Sequence, residues 1–261
     1  MELNPLTQSQ RRLLQLGVVL LVALFLIAYF FFMGKKPSEP VQKNQTVYVQ
    51  NSTLYAFEDT YSLKDYSDKV SVHFPYLLVT KPEINTTYIY NLVQKKKEKE
   101  VKQTLLDYID NNQLYTKGKT TFYNDKDIGT LCENGFINGE EILCVTKFDV
   151  NGAQNMLVAI NPNVQKQKRS IYISKGIITD VVVINGKTYI GEIDTNTHKN
   201  HIIVDKASVE VPNIINLIYQ MNEKPYFAAF KSELNQNTES FYLIEDNQVT
   251  KQDGDKIYLF K

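Results

Sequence analysis

Hydrophobic and polar positions divide the chain into two unequal parts. From Leu13 to Met33 the run LLQLGVVLLVALFLIAYFFFM carries no charged residue, and Gln15 is its one strongly polar side chain. A helix of that length rises roughly 30 Å, the thickness of a bilayer hydrocarbon core. Its Leu, Val, Ile and Phe side chains each favour insertion by a few tenths of a kcal/mol. Beyond residue 45 the pattern changes to short apolar runs, alternating or briefly continuous, separated by turn residues; this is the period of strands. The pattern predicts a cytoplasmic tail over 1–12, a transmembrane helix over 13–33, a linker over 34–45 and a β-repeat domain over 46–261.

Within that domain, strand pairs flank turn signals. Short strands surround Asn51-Ser52, and runs at 76–80 and 87–93 flank the turn-like KPEIN. Further pairs straddle Asn111-Asn112 and Asn151-Gly152, and Asp253-Gly254 marks the last turn. Asn185-Gly186, between 181–184 and 188–193, is the strongest hairpin signal, because Asn-Gly supplies the two positive φ values of a type I′ turn. Two stretches are also compatible with helix. Val101, Leu105 and Ile109 lie at helical spacing, and 214–221 is almost continuously apolar.

The hairpins recur. GIITDVVVINGKTYIG from Gly176 aligns without a gap on NIINLIYQMNEKPYFA from Asn213, with Asn185 on Asn222 and Tyr189 on Tyr226. YLLVTKPEINTTYIYN pairs with EILCVTKFDVNGAQNMLVAIN about two periods apart, sharing Val-Thr-Lys at Val79 and Val145. YIDNNQLYTK from Tyr108 pairs with YLIEDNQVTK from Tyr242, about four periods apart. A β-rich repeat of roughly 33–38 residues, carried by hairpins such as VVVINGKTYIGEID and LIYQMNEKPYFAAFK, resembles the β-propeller repeat proteins. The resemblance implies an all-β domain of five or six blades, because one blade alone cannot bury both faces. It is generic: no Gly-His to Trp-Asp signature and no kelch Gly-Gly pair occurs. A β-sandwich or an α+β domain of stacked hairpins is the competing architecture.

Composition adds little to this picture and excludes more. Formal net charge is zero over 261 residues, so nothing favours nucleic acid as a partner. Seventeen Tyr and no Trp suit pleated surfaces, with Tyr filling the space between blades or forming an aromatic binding face. Cys132 and Cys144 form a disulfide candidate, with two free thiols as the alternative. The charges flanking the apolar run, Arg11 and Arg12 against Lys35 and Lys36, nearly balance. The short tail and the possible disulfide orient the domain outward. No small-x-small cleavage site follows the run, so an uncleaved signal anchor is expected. Pro37 and Pro40 make the linker an extended spacer.

Candidate chemistry is sparse. No Gly-x-Ser-x-Gly elbow, P-loop or Gly-x-Gly-x-x-Gly occurs. His198 and His201, near Asp194 and Asp205, have a loose metal-ligand spacing but sit in a turn-like stretch. Cys132 with upstream His73 raises a sortase-like Cys–His pair, but Thr130-Leu131-Cys132 lacks that motif's spacing and Arg169 is too distant in sequence. Asp125 and Asp127 lack the remaining ligands of an EF-hand. Lys95 to Glu100 is expected to be a charged hairpin tip. Asn44, Asn51 and Asn85 begin Asn-x-Ser/Thr sequons. No catalytic, cofactor or metal residues are assigned. The expected role is a single-pass cell-membrane protein, held by lipid contact through Leu13 to Met33, that binds or scaffolds an envelope protein. The alternatives are a tethered subunit of an envelope or secretion complex, and an envelope hydrolase or transpeptidase.

Overall fold

The computed structural model describes residues 45–64, 68–148, 154–164, 167–230, 239–246 and 248–261. The predicted tail, the apolar run 13–33 and the linker up to residue 44 lie outside them. Among the described residues, no helix is long and apolar enough to cross a membrane.

Six four-stranded antiparallel sheets follow one another along the chain. Blade I comprises Lys69–His73, Tyr76–Lys81, Thr86–Asn91 and Lys96–Val101. Blade II comprises Thr104–Ile109, Asn112–Lys117, Thr120–Tyr123 and Lys126–Asp127; blade III, Asn134–Asn138, Glu141–Lys147, Asn155–Ile160 and Lys168–Ile173. Blade IV comprises Gly176–Ile184, Lys187–Asp194, Asn200–Val204 and Ala207–Val211; blade V, Leu217–Met221, Lys224–Ala229, Ser240–Glu245 and Gln248–Gln252. Blade VI joins the two ends of the domain. The C-terminal strand Ile257–Phe260 pairs with Val47–Gln50, followed by Thr53–Ala56 and Asp59–Ser62. The domain is a six-bladed β-propeller, which settles the blade number and excludes the sandwich and α+β alternatives.

The first strands of blades I to V neighbour one another around the axis, and those of blades I and V also meet directly. The apolar clusters sit between blades rather than within them. One draws on blades V, VI and I, including Val49, Tyr90, Tyr219 and Leu259. A second joins blades III, IV and V, a third blades II and III, and a fourth blades I and II. Each sheet therefore has apolar residues on both faces, and each face is covered by the next blade. Tyr hydroxyls that would be stranded in these seams find acceptors across them. Tyr219 donates to Tyr258 O (2.8 Å), Tyr90 to Asp59 Oδ2 (2.5 Å) and Tyr172 to Glu192 Oε2 (2.8 Å). Tyr thus fills blade seams, the first of the two roles expected for it.

The hairpin turns follow their sequence. Asn185 and Gly186 have φ of 52° and 76°, the type I′ pair. The aligned blade V turn places Asn222 and Glu223 at 50° and 64°. The thirty-seven-residue repeat is the step from blade IV to blade V, and the Val-Thr-Lys pair marks the second strands of blades I and III, two blades apart.

Two expectations are corrected, and the two stretches also compatible with helix resolve as strands. The helical spacing of Val101, Leu105 and Ile109 spans a blade boundary: Val101 ends the outer strand of blade I and Leu105 begins blade II. The run 214–221 contains the first strand of blade V, in which every residue but Gln220 is buried because it is covered on both faces. Lys95 to Glu100 is not a hairpin tip. Only Lys95 lies in the turn, and Lys96–Val101 is the outer edge strand, where charge discourages pairing with other chains. Its Lys97 and Lys99 ammonium groups lie 5.0 and 4.4 Å from the ring centroids of Tyr88 and Tyr108. The Tyr108 and Tyr242 segments are not equivalent either. The first is the opening hairpin of blade II and the second the closing hairpin of blade V, so they share turn chemistry and not position.

Ring closure rests on few residues. Ile257 and Leu259 are buried in the joint core, each worth about 1.5–3 kcal/mol of apolar burial. A chain ending at Lys256 is expected to lose at least ~3 kcal/mol of unfolding free energy. Denaturant melts followed by circular dichroism check this, and an unchanged midpoint contradicts the closure.

Candidate functional site

The site begins with two irregularities in otherwise apolar strands. The register of blade II shifts between Leu105 and Asp107, and that of blade IV between Ile178 and Asp180. Each bulge inserts one extra residue, Leu106 or Thr179, and bends the first strand near one end of the axis. A buried Asp follows each bulge. Asp107 Oδ1 accepts the N–H of Tyr108 (2.8 Å), and its Oδ2 accepts the N–H of Ile137 in the next blade (2.6 Å). Asp180 does the same with Val181 (2.9 Å) and Ile218 (2.6 Å). These carboxylates bridge the first strands of adjacent blades, from II to III and from IV to V.

Asn134 opens the first strand of blade III. Its Oδ1 accepts the Gly135 N–H (2.8 Å) and its Nδ2 donates to Asp180 Oδ1 (3.2 Å), so the bridge continues from III to IV. A Cβ on Gly135 would stand 2.6 Å from Leu114 Cδ2 and 3.3 Å from Leu143 O, so any larger residue there must displace the buried Leu114 side chain of blade II. His73 shares Asp107: its Nδ1 lies 2.8 Å from Oδ2, and its ring stacks on Phe136 with centroids 4.1 Å apart.

Above these bridges the axis opens into a bowl of about 310 Å³. Below them, at the level of Asp107, Phe136 and Ile218, it narrows to about 10 Å³. Leu105, Leu106, Ile178, Ile214, Ile215 and Phe230 provide much of its apolar wall. Its charged groups are Asp68, Lys69, Glu133 and Asp180. Asp68 forms an ion pair with Lys81, behind the wall. Lys69 reaches solvent through the mouth, yet protein surrounds it on the other sides. Burial pushes its pKa down, against Asp180 and Glu133, which favour the charged form. Its Nζ donates to Glu133 O (3.0 Å). On the opposite face Phe74, Met221 and Phe260 line a second depression of about 250 Å³.

The residues singled out by sequence do not converge on this bowl. Cys132 and Cys144 are bonded to each other, with Cα atoms 5.3 Å apart, and both are buried in the core between blades II and III. His73 is committed to Asp107, so the Cys–His pair does not assemble. His198 occupies a turn at φ 56°, and His201 Nδ1 lies 3.2 Å from Ser208 Oγ. Asp125 accepts the Tyr115 hydroxyl of the same blade (2.7 Å), and Asp127 accepts the Gly129 N–H within its own turn (2.6 Å). Among the described residues, no group of three or more His, Cys, Asp or Glu side chains could hold a metal ion. Lys69, Asn134, Asp107 and Asp180 were not singled out from the sequence. Asp107 and Asp180 carried a signal, a buried charge inside an apolar strand as in LLDYI and IITDVVVI, whereas Lys69 and Asn134 stand at the openings of their strands and carried none.

No protein-family model matches the chain, and no curated protein does. Among solved structures, the chain is similar to the β-propeller domain of Cps50 (Swd1) from Myceliophteria thermophila. The identity is 11%, the TM-score 0.44, and the match covers 74% of this chain and 72% of that one. Hydrazine synthase of Kuenenia stuttgartiensis matches at 11% identity and TM-score 0.45, over 78% and 74% of the two chains. Hsv2 of Kluyveromyces lactis matches at 15% and 0.42, over 71% of this chain and 63% of that one. The fold assignment rests on the sheet topology described above.

Burial pushes the Asp180 carboxyl up to about 6, outweighing its three hydrogen bonds and the nearby Lys69, which act the other way. An acid with a raised folded pKa holds its proton more tightly when folded. Its contribution is fully present below about pH 4 and is lost as pH rises toward 6. The scale is roughly 3 kcal/mol for a shift of this size. Asp180→Asn is therefore expected to flatten the pH dependence of unfolding free energy between pH 4 and 7. Denaturant melts of both proteins across that range check the slope, and parallel curves contradict it.

Proposed function

We propose that the chain is a single-pass membrane protein whose propeller lies outside the cytoplasm and binds a protein partner through its bowl-side face. The observation that carries the binding reading is an apolar patch at the bowl-side end of blade III and its junction with blade IV. Leu131, Phe148, Ile173 and Ile177 are 40–50% exposed there. The strand register gathers them: Phe148 N–H bonds Gln154 O, Ile173 pairs with Met156, and Glu133 N–H bonds Val145 O just beyond Leu131. Asn155 Oδ1 accepts the Ile178 N–H (2.8 Å) and ties Ile177 to the same end. Clustered exposed apolar side chains beside polar loops are typical of interaction surfaces.

The anchored, outward placement draws on other features. The charge-free run 13–33 has the length of a membrane-spanning helix and is followed by a Pro-containing spacer. The Cys132–Cys144 bond suits an oxidising compartment. Protease added to intact cells is expected to degrade the propeller and leave a short membrane-bound fragment. In the same preparation both cysteines resist alkylation until reductant is added. Digestion seen only after lysis, or free thiols, contradicts the placement. For the binding face, a photocrosslinker at position 148 of the full chain in its membrane is expected to yield one discrete protein adduct. Ile173→Asp with Ile177→Asp is expected to cut its yield at least tenfold at unchanged Tm; an unaffected yield contradicts the assignment.

A further inference from the structure

We propose that the face of the propeller opposite the bowl rests on a lipid bilayer, with Phe74 and Val93 inserted among the headgroups. The inference rests on the anchored reading above and adds which face meets the membrane. It starts from two exposed apolar side chains at the end of blade I away from the bowl. Phe74 lies in the turn between the first two strands and is 49% exposed; Val93 lies in the turn between the last two and is 61% exposed. The Leu92 N–H donates to Pro75 O (2.8 Å), which holds the two turns side by side. Next to Phe74 is the depression of about 250 Å³, lined by Met221 of blade V and Phe260 of blade VI. The patch thus spans blades V, VI and I. The first turns of blades II and IV on this face are polar, Asp110-Asn111 and Asn185-Gly186. Among the described residues, Val164 on blade III is the one other large apolar side chain exposed on this face.

What covers this patch follows from where the chain enters. Val47 pairs with Phe260, and Gln45 Oε1 accepts from Lys95 Nζ (3.1 Å), in the same turn as Val93. The chain therefore joins the propeller on this face and beside the patch. Eleven residues, 34–44, separate the apolar run 13–33 from Gln45. Fully extended, a chain of that length spans no more than about 40 Å. A bilayer that holds the run lies within that reach of this face, and the bowl lies at the far end of the domain. Size points the same way. Two protruding side chains and a small depression are far fewer than the roughly twenty residues a stable protein interface takes from each partner. A bilayer needs no such complementarity, and exposed Phe and aliphatic side chains enter its interfacial zone readily. Charge adds little. Lys95 and Lys96 follow Val93 and Lys261 lines the depression, against Glu223 in the same lining and Glu58 in the outer turn of blade VI. Apolar insertion therefore carries the contact, and anionic headgroups strengthen it only weakly. The same placement presents the Leu131, Phe148, Ile173 and Ile177 patch away from the lipid.

The chain contains no Trp, so one substitution makes one fluorescent reporter. The test is the full chain, reconstituted in phosphatidylcholine vesicles, as Phe74→Trp, Val93→Trp and Ile84→Trp. Ile84 is 57% exposed at the bowl end of the same blade and serves as the control. Lipid brominated high in its acyl chains is expected to reduce the emission of Phe74→Trp and Val93→Trp at least twofold, with aqueous iodide having little effect. Ile84→Trp is expected to show the reverse. Adding Phe74→Asp to Val93→Trp is expected to cut the bromine quenching at least threefold at unchanged Tm. Should that variant fail to fold, Val93→Asp with Phe74→Trp carries the comparison. Iodide quenching of Phe74→Trp and Val93→Trp equal to that of Ile84→Trp, in a chain that stays with the vesicles through a carbonate wash, overturns the proposal and leaves the anchored reading standing. Release of the chain by carbonate overturns the anchored reading and the proposal with it. Shielding from both quenchers overturns the lipid assignment and places another copy of the chain on this face.

Discussion

A four-stranded sheet with apolar side chains on both faces has nowhere to bury them except against other sheets. That constraint organises the domain. Each of the four apolar clusters crosses a blade boundary, and one of them joins the two ends of the domain through blade VI. The burial that stabilises one blade is supplied by its neighbour, so the ring is cooperative in a way that an open row of hairpins is not. The C-terminal strand is the last element in the sequence and lies at the inner end of the sheet begun by the first.

Near the axis, packing alone does not set the spacing of blades. Two buried carboxylates and one amide do so by accepting or donating across the seams: Asp107 to Ile137, Asp180 to Ile218 and Asn134 to Asp180. A buried carboxylate is costly to desolvate, and the raised pKa of Asp180 is the mark of that cost. In return the bonds fix first strands that hydrophobic contact would let slide. The same bulges that orient these Asp side chains place Leu106 and Thr179 in the bowl wall, so the device that clamps the ring also shapes its cavity.

Much of the fold was legible because turn chemistry and burial act locally. Asn185-Gly186 announced one type I′ hairpin, and the gapless alignment of Asn185 on Asn222 announced the repeat, whose turn takes the same positive φ pair. Legibility failed where a local pattern crossed a blade boundary. Val101 and Leu105 mimic one helix face but belong to different sheets, and the Lys-rich run looks like a loop until it is seen as an edge strand. The resemblance between the Tyr108 and Tyr242 segments also misled, because Asn-containing turns recur wherever a hairpin closes.

The sequence by itself determined the β class, the hairpins, the repeat length and the pairing choice open to two cysteines, since each depends on residues near one another in the chain. It also marked 13–33 as apolar enough for a membrane. Only the tertiary structure decided the blade number, the closure through the C-terminal strand and the bowl. Lys69, Asn134, Thr179 and Asp180 come from three different blades, and nothing in their local sequence says that ring closure brings them to one axis. Their roles follow from burial and from which hydrogen bonds are already made, and both are properties of the assembled ring.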